Sequence, residues 1–162
     1  MISYFDDDLK WAPFITELKE WAGTPYRHLG HWKGRGADCT LYLATALKNA
    51  GILTQTKYEY YSRDWHIHGT DELVVNSYLS NEEYLLPGLC FEVTDGVPET
   101  PVRGDFLMMS LDGAKLIHHA AVLIADNALM QCIPARGVVE TSFHDWWKRH
   151  VRRTVRIVYK EQ

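Results

Sequence analysis

The sequence predicts an α+β domain, and three observations carry that reading. Helical periodicity fills the first half of the chain. Strand alternation with tight-turn signals fills the second half. Finally, 162 residues with 46% apolar content suit one domain with a sizeable core, read here as residues 1–162. Helices followed by an antiparallel meander is the α+β arrangement.

The elements follow in order. Between Asp6 and Trp21, Leu9, Trp11, Phe14, Ile15 and Leu18 recur at helical spacing, with Asp6–Asp8 acidic at the N-terminus and Gly23 as a stop. Residues Gly23–Gly36 hold four glycines and two histidines and read as a structured loop. Asp38 is a candidate N-cap for the next helix, in which Cys39, Leu43, Ala46, Leu47 and Ala50 share a face and Gly51 ends the run. Tyr58–Gly69, aromatic and His-rich, reads as a surface loop. Asp71–Leu86 reads as one or two short helices closed by Pro87-Gly88, and Leu89–Val93 as a strand. Asp105–Ser110, Ile117–Ala125, Ala128–Ile133 and Val138–Glu140 are strand-like, with Asp112-Gly113 and Asp126-Asn127 as turns. Phe143–His150 is helical, with Trp146-Trp147 as its anchor, and Arg153–Tyr159 closes the chain as a strand.

Composition excludes several classes. A net charge of −4 argues against nucleic acid as the main partner, and Lys148, Arg149, Arg152 and Arg153 form the single basic run, read as a solvated face. No apolar run is long enough to cross a membrane. The acidic start MISYFDDDLKW lacks a signal pattern, so synthesis in the cytoplasm without a cleaved signal is expected. Three widely spaced cysteines without a CxxC indicate neither a disulfide framework nor a zinc ribbon, and Cys90 and Cys132 read as buried structural thiols. His66 and His68 have the spacing of a metal pair but no evident third and fourth ligand, so no metal is expected.

Cys39 is the chemical focus. At a helix start it would meet unpaired N–H groups and the positive end of the helix dipole, both of which favour thiolate. Such a nucleophile needs a base and a group that orients the base. His119 is the best base candidate. Neighbouring strand residues face opposite ways, so His118 and His119 cannot both face the thiol, and a shifted register would make His118 the active one. Ala120 and Ala121 leave room for another element to pack close. The Asp126-Asn127 turn brings Gln131 near His119, where its amide oxygen can accept the imidazole N–H and set the tautomer. A buried cysteine, a strand histidine and a strand glutamine each have a purely structural reading when taken alone; together and in this order they point to catalysis.

The pattern GTPYR, then DC, RGDF, HHAAVLIADNALMQ and GVVE resembles the NlpC-type cell-wall cysteine peptidases over about residues 21–140. GTPYRH at Gly23–His28, DWHIH at Asp64–His68, HAA at His119–Ala121 and the tail DWWKRHVRRTVRIVY resemble the phage and prophage branch of that family. The resemblance implies a papain-like fold, with the nucleophile helix packed on an antiparallel sheet of about five to six strands. It matches Cys39 to the nucleophile, His119 to the base and Gln131 to the third catalytic position. It also matches Tyr26 to a tyrosine lining the cleft near the oxyanion, and Asp38 to an aspartate that binds a free substrate amine. Tyr26 reads equally well as core packing, and Asp38 as a helix cap. The implied activity is cofactor-free hydrolysis of amide bonds in peptidoglycan stem peptides by way of an acyl-enzyme, in association with phage tail proteins and acting in the cell envelope. Thr40-Leu41 replaces the family's usual Ser-Gly or Leu-Gly, and Gln131 its more common second histidine. Leu41 and Gln131 motivate one alternative, a structural tail-tip component with little activity; another is the same nucleophile used by an acyltransferase or amidase acting on a protein amide.

Overall fold

The computed structural model describes residues 1–58, 62 and 72–162. A 3₁₀ turn at Tyr4–Asp6 precedes helix α1, Asp8–Trp21. The carboxylate of Asp7 caps α1 by accepting the Leu9 N–H at 2.8 Å, satisfying one of its unpaired donors. Trp11, Phe14, Leu18 and Trp21 form its buried face. The helical period begins in this helix, but the core begins earlier: Phe5 stacks on Phe14 with ring centroids 4.9 Å apart.

Two short strands, β1 (His31–Trp32) and β2 (Gly36–Ala37), pair as a hairpin inside the glycine-rich loop. Helix α2 covers Leu41–Asn49 and helix α3 covers Leu73–Leu79, which runs on into a 3₁₀ segment at Ser80–Tyr84. The remaining strands are β3 (Leu89–Asp95), β4 (Phe106–Met109), β5 (His119–Ala125), β6 (Ala128–Ile133), β7 (Gly137–Ser142) and β8 (Val151–Tyr159), with helix α4 (Asp145–His150) before the last. The expected loop at 58–69 and its His66–His68 pair fall almost wholly outside the described residues.

The sheet is antiparallel and six-stranded, in the order β3-β8-β4-β5-β6-β7. The α+β fold class and the strand number agree with the sequence reading. The local part of the expected meander, β4 to β7, is present. The last strand departs from it by inserting between β3 and β4, with Ile157 opposite Phe91 and Val155 opposite Phe106. That placement pairs β8 along both edges and has no local signal.

Strand alternation divides the apolar residues between the two faces. Phe106, Met108, Ala120, Val122, Met130 and Cys132 join one core with residues of α1, α2 and α3. Leu107, Met109, Ala121, Leu123 and Leu129 join a second, smaller core with Phe143, Val151 and Trp147. The face of Cys39, Leu43, Ala46, Leu47 and Ala50 packs into the first core, as the helical spacing implies.

Asp105, which leads into β4, is held by a buried fork. Arg156 Nε donates to Oδ1 at 2.6 Å and Nη2 to Oδ2 at 2.9 Å, while the aspartate side chain is 0% exposed. Arg156→Leu would leave that carboxylate buried without its partner, at a cost of about 3–5 kcal/mol. For a chain of this size the expected thermal midpoint falls by roughly 10 °C or more. An unchanged midpoint in a melting experiment would show that the pair contributes nothing to stability.

Candidate active site

The loop before Cys39 is fixed by backbone bonds to the sheet and to itself. Gly23 N–H donates to the Val138 carbonyl at 2.9 Å, and Val138 N–H to the Thr24 carbonyl at 2.8 Å, so the GTPY segment is zipped onto the start of β7. Gly137 permits this approach: at φ +72°, a Cβ there would collide with the Thr24 carbonyl. Tyr26 bridges Ala37, two residues before Cys39, and its ring packs partly buried against the first core.

Asp38 ties the loop to the helix start. One carboxylate oxygen accepts the Leu29 N–H at 3.2 Å and the other the Thr40 N–H at 3.1 Å. The expected N-cap role is thereby corrected in detail. Helix α2 begins at Leu41 with Thr40 as its cap residue, and Thr40 makes no side-chain capping bond. Asp38 acts two residues upstream, through an Asx-type turn onto the Thr40 amide.

Cys39 therefore precedes the helix rather than sitting in its first turn. It is 8% exposed, and its Sγ lies 3.6 Å from both the Thr40 hydroxyl and the His118 carbonyl. The expectation of a stabilised thiolate is overturned for this resting geometry. Burial pushes the thiol well above its ordinary value, and the Asp38 carboxylate adds to the rise; the Thr40 hydroxyl and the Ala120 amide oppose it only in part. Removing a full charge from water outweighs a helix end two residues away. Iodoacetamide should consequently modify Cys39 more slowly than a model thiol at mildly acidic and neutral pH, with the rate still climbing at alkaline pH. Modification faster than the model thiol near pH 6 would contradict this.

His119 opens β5 and is 6% exposed. Its Nε2 donates to Gln131 Oε1 at 2.8 Å, which leaves Nδ1 as the acceptor lone pair. Burial pushes the imidazole down to about 4; the Gln131 bond and Asp38 resist that shift, while neighbouring His118 adds to it. The ring is therefore neutral near pH 7 and able to accept a proton. Gln131, 0% exposed, donates in turn to Thr141 Oγ1 on β7 at 2.7 Å. The indole of Trp147 lies 6.4 Å from the imidazole, nearly parallel to it. Thr141 and Trp147 were not singled out for the site. Their signal lay in the pairing of β7 with β6 and in the packing of α4, neither of which a linear motif displays.

His119 and Gln131 are thus brought together. Cys39 meets this pair through the backbone: its sulfur sits against the peptide groups on both sides of His119, namely the His118 carbonyl and the Ala120 amide. Among the described residues no hydrogen bond joins the sulfur to the imidazole. The pleat explains why: Ala120 and Val122 share the core of Cys39, whereas Ala121 and Leu123, on the His119 side, belong to the second. His118 is half-buried, with Nδ1 3.3 Å from the Leu116 carbonyl. Cys132 is buried and donates to the Ala37 carbonyl at 3.2 Å, whereas Cys90 is only partly buried. Among the described residues no three His, Cys, Asp or Glu side chains gather as metal ligands would.

Solved structures similar to this chain include NlpC/P60 family proteins. A lipoprotein-like NLP/P60 family protein of Staphylococcus aureus superposes with a TM-score of 0.61 at 15% identity, over 95% of this chain and 43% of that one. An NlpC/P60 family protein of Bacillus cereus gives 0.55 at 19% identity, over 88% of this chain and 38% of that one. The P60 domain of a Mycobacterium avium paratuberculosis antigen gives 0.50 at 11% identity and covers 95% of both chains. The chain therefore spans about two fifths of the first two proteins, by the 43% and 38% shares. No protein-family model and no curated protein matches it. The architecture is that of an NlpC/P60-type α+β domain.

Proposed function

We propose that this protein is a cysteine hydrolase cleaving amide bonds in the stem peptides of bacterial peptidoglycan. The observation that carries the proposal is a buried histidine, hydrogen-bonded to a buried glutamine and flanked by peptide groups that touch Cys39 just before helix α2. The NlpC/P60-type fold and the ordered motifs of the sequence support the same reading.

The resting pair in this mechanism is thiol and neutral imidazole. The mechanism requires the His119 ring, at the first residue of β5, to come within reach of the sulfur in the substrate complex, where catalytic hydrogen bonds commonly close. Nδ1 takes the thiol proton as Sγ attacks the scissile carbonyl. The tetrahedral intermediate collapses to a thioester, and the imidazolium returns its proton to the leaving amine. Water, deprotonated by the same nitrogen, attacks the thioester and regenerates the thiol. Gln131 keeps Nε2 protonated throughout. Tyr26 is assigned to the carbonyl-oxygen side of the cleft. Asp38, already engaged by two backbone amides, holds the loop and the helix start. Attachment to a phage tail is part of the proposal on the sequence features GTPYRH and HAA.

The test is incubation with purified muropeptides. Cleaved stem peptides should accumulate, with sensitivity to thiol alkylation. A second reading, a tail-tip scaffold with the fold but little chemistry, is favoured by the raised thiol and the unmade Sγ–imidazole bond. Intact muropeptides after prolonged incubation with folded protein would decide for it. Diversion of an acyl-enzyme to added amines would instead indicate acyl transfer.

A further inference from the structure

The geometry points to Thr141 as a positioning residue that acts on His119 through Gln131. The inference deepens the hydrolase reading and rests on it for its catalytic consequence, but its structural core can be read separately. Three strands contribute one side chain each. His119 on β5, Gln131 on β6 and Thr141 on β7 form a continuous chain with links of 2.8 Å and 2.7 Å.

The pairing register accounts for the contact. Thr141 lies opposite Leu129 and Val139 opposite Gln131, so Thr141 is the diagonal neighbour of the glutamine on the same face. Gln131 is fully buried, and its amide can present either oxygen or NH₂ to the imidazole. With oxygen presented, Nε2 carries the proton and Nδ1 is free to act as base. With NH₂ presented, Nε2 becomes an acceptor and Nδ1 holds the proton, which removes the base. In the arrangement observed, the amide NH₂ is satisfied by Thr141 Oγ1. Without that acceptor the NH₂ would be buried unpaired, and the amide would gain from turning over or shifting away. Thr141 thereby decides how well the glutamine holds the imidazole, without touching substrate.

The test uses the full chain with ¹⁵N-labelled histidine. In Thr141→Val the His119 nitrogen shifts should move away from the Nε2-protonated tautomer, and its titration midpoint should fall, because the Gln131 bond supports the protonated ring. Muropeptide turnover should fall about tenfold in kcat with little change in KM, and Thr141→Ser should restore both readouts. In a Gln131→Ala background, Thr141→Val should add nothing further. If valine prevents folding, Thr141→Cys, a weak acceptor of similar size, replaces it in the same measurements. Unchanged histidine shifts and midpoint in the folded variant overturn the inference, as does a serine variant as impaired as valine, or additive effects with Gln131→Ala. A wild type inert on muropeptides would sink the hydrolase reading alone, since the histidine titration reports on Thr141 in either case.

Discussion

Cys39→Ala should leave a folded protein whose release of cleaved stem peptides falls by about three orders of magnitude or more. The magnitude follows from the role: removing the sulfur removes the atom that forms the acyl-enzyme, and no neighbouring group can take its place. Cys132 is buried on the Ala37 carbonyl with its thiol pushed up to about 12, so it is a poor substitute nucleophile. The loss of one small buried side chain should cost only about 1 kcal/mol of stability, so a matching circular-dichroism spectrum and a nearly unchanged melting point are expected. Cys39→Ser keeps the shape and should be equally inert, because a hydroxyl beside a neutral imidazole is a much weaker nucleophile. Cleavage by the alanine variant within tenfold of the parent would remove Cys39 from the chemistry.

His119→Ala should lower kcat/KM by about 10²–10⁴, while His118→Ala should change it only slightly. The pH profile carries the same distinction. A base must be unprotonated, so kcat/KM should rise as pH increases through the His119 value of about 4 and stay high across neutral pH. The high thiol value places no descending acid limb above that, because the neutral thiol is the resting form. One result would reverse the assignment: activity lost in His118→Ala but kept in His119→Ala would make the half-buried His118, just before β5, the working base.

These expectations separate what was legible in the residues from what was not. The helical spacing of Leu9, Trp11, Phe14 and Leu18 and the alternation from Asp105 onward were strong local signals, and the helices and strands fall there with ends moved by a few residues. The Asp126-Asn127 turn made the β5–β6 pairing legible, but the bulge between Leu123 and Ala125, which sets Gln131 opposite Ala121 and so on the face of His119, has no local signal. Thr141 needed the next strand pair as well. The 3₁₀ turn carrying Tyr4 and Phe5 was passed over because so short a segment has no period to detect.

By itself the sequence determined an α+β chain with a cysteine at the end of a glycine-rich loop, a histidine at a strand start and a glutamine across the hairpin. Each follows from contacts between residues near one another along the chain, where side-chain period and turn chemistry decide the outcome. Only the tertiary structure decided where β8 inserts, which face of β5 His119 takes, and the state of the thiol. Those depend on packing between distant segments. In particular, a helix start predicts an acidified cysteine only while water still reaches it. Once Cys39 is enclosed against β5 beside the Asp38 carboxylate, desolvation and a like charge outweigh the dipole, and the thiol stays protonated.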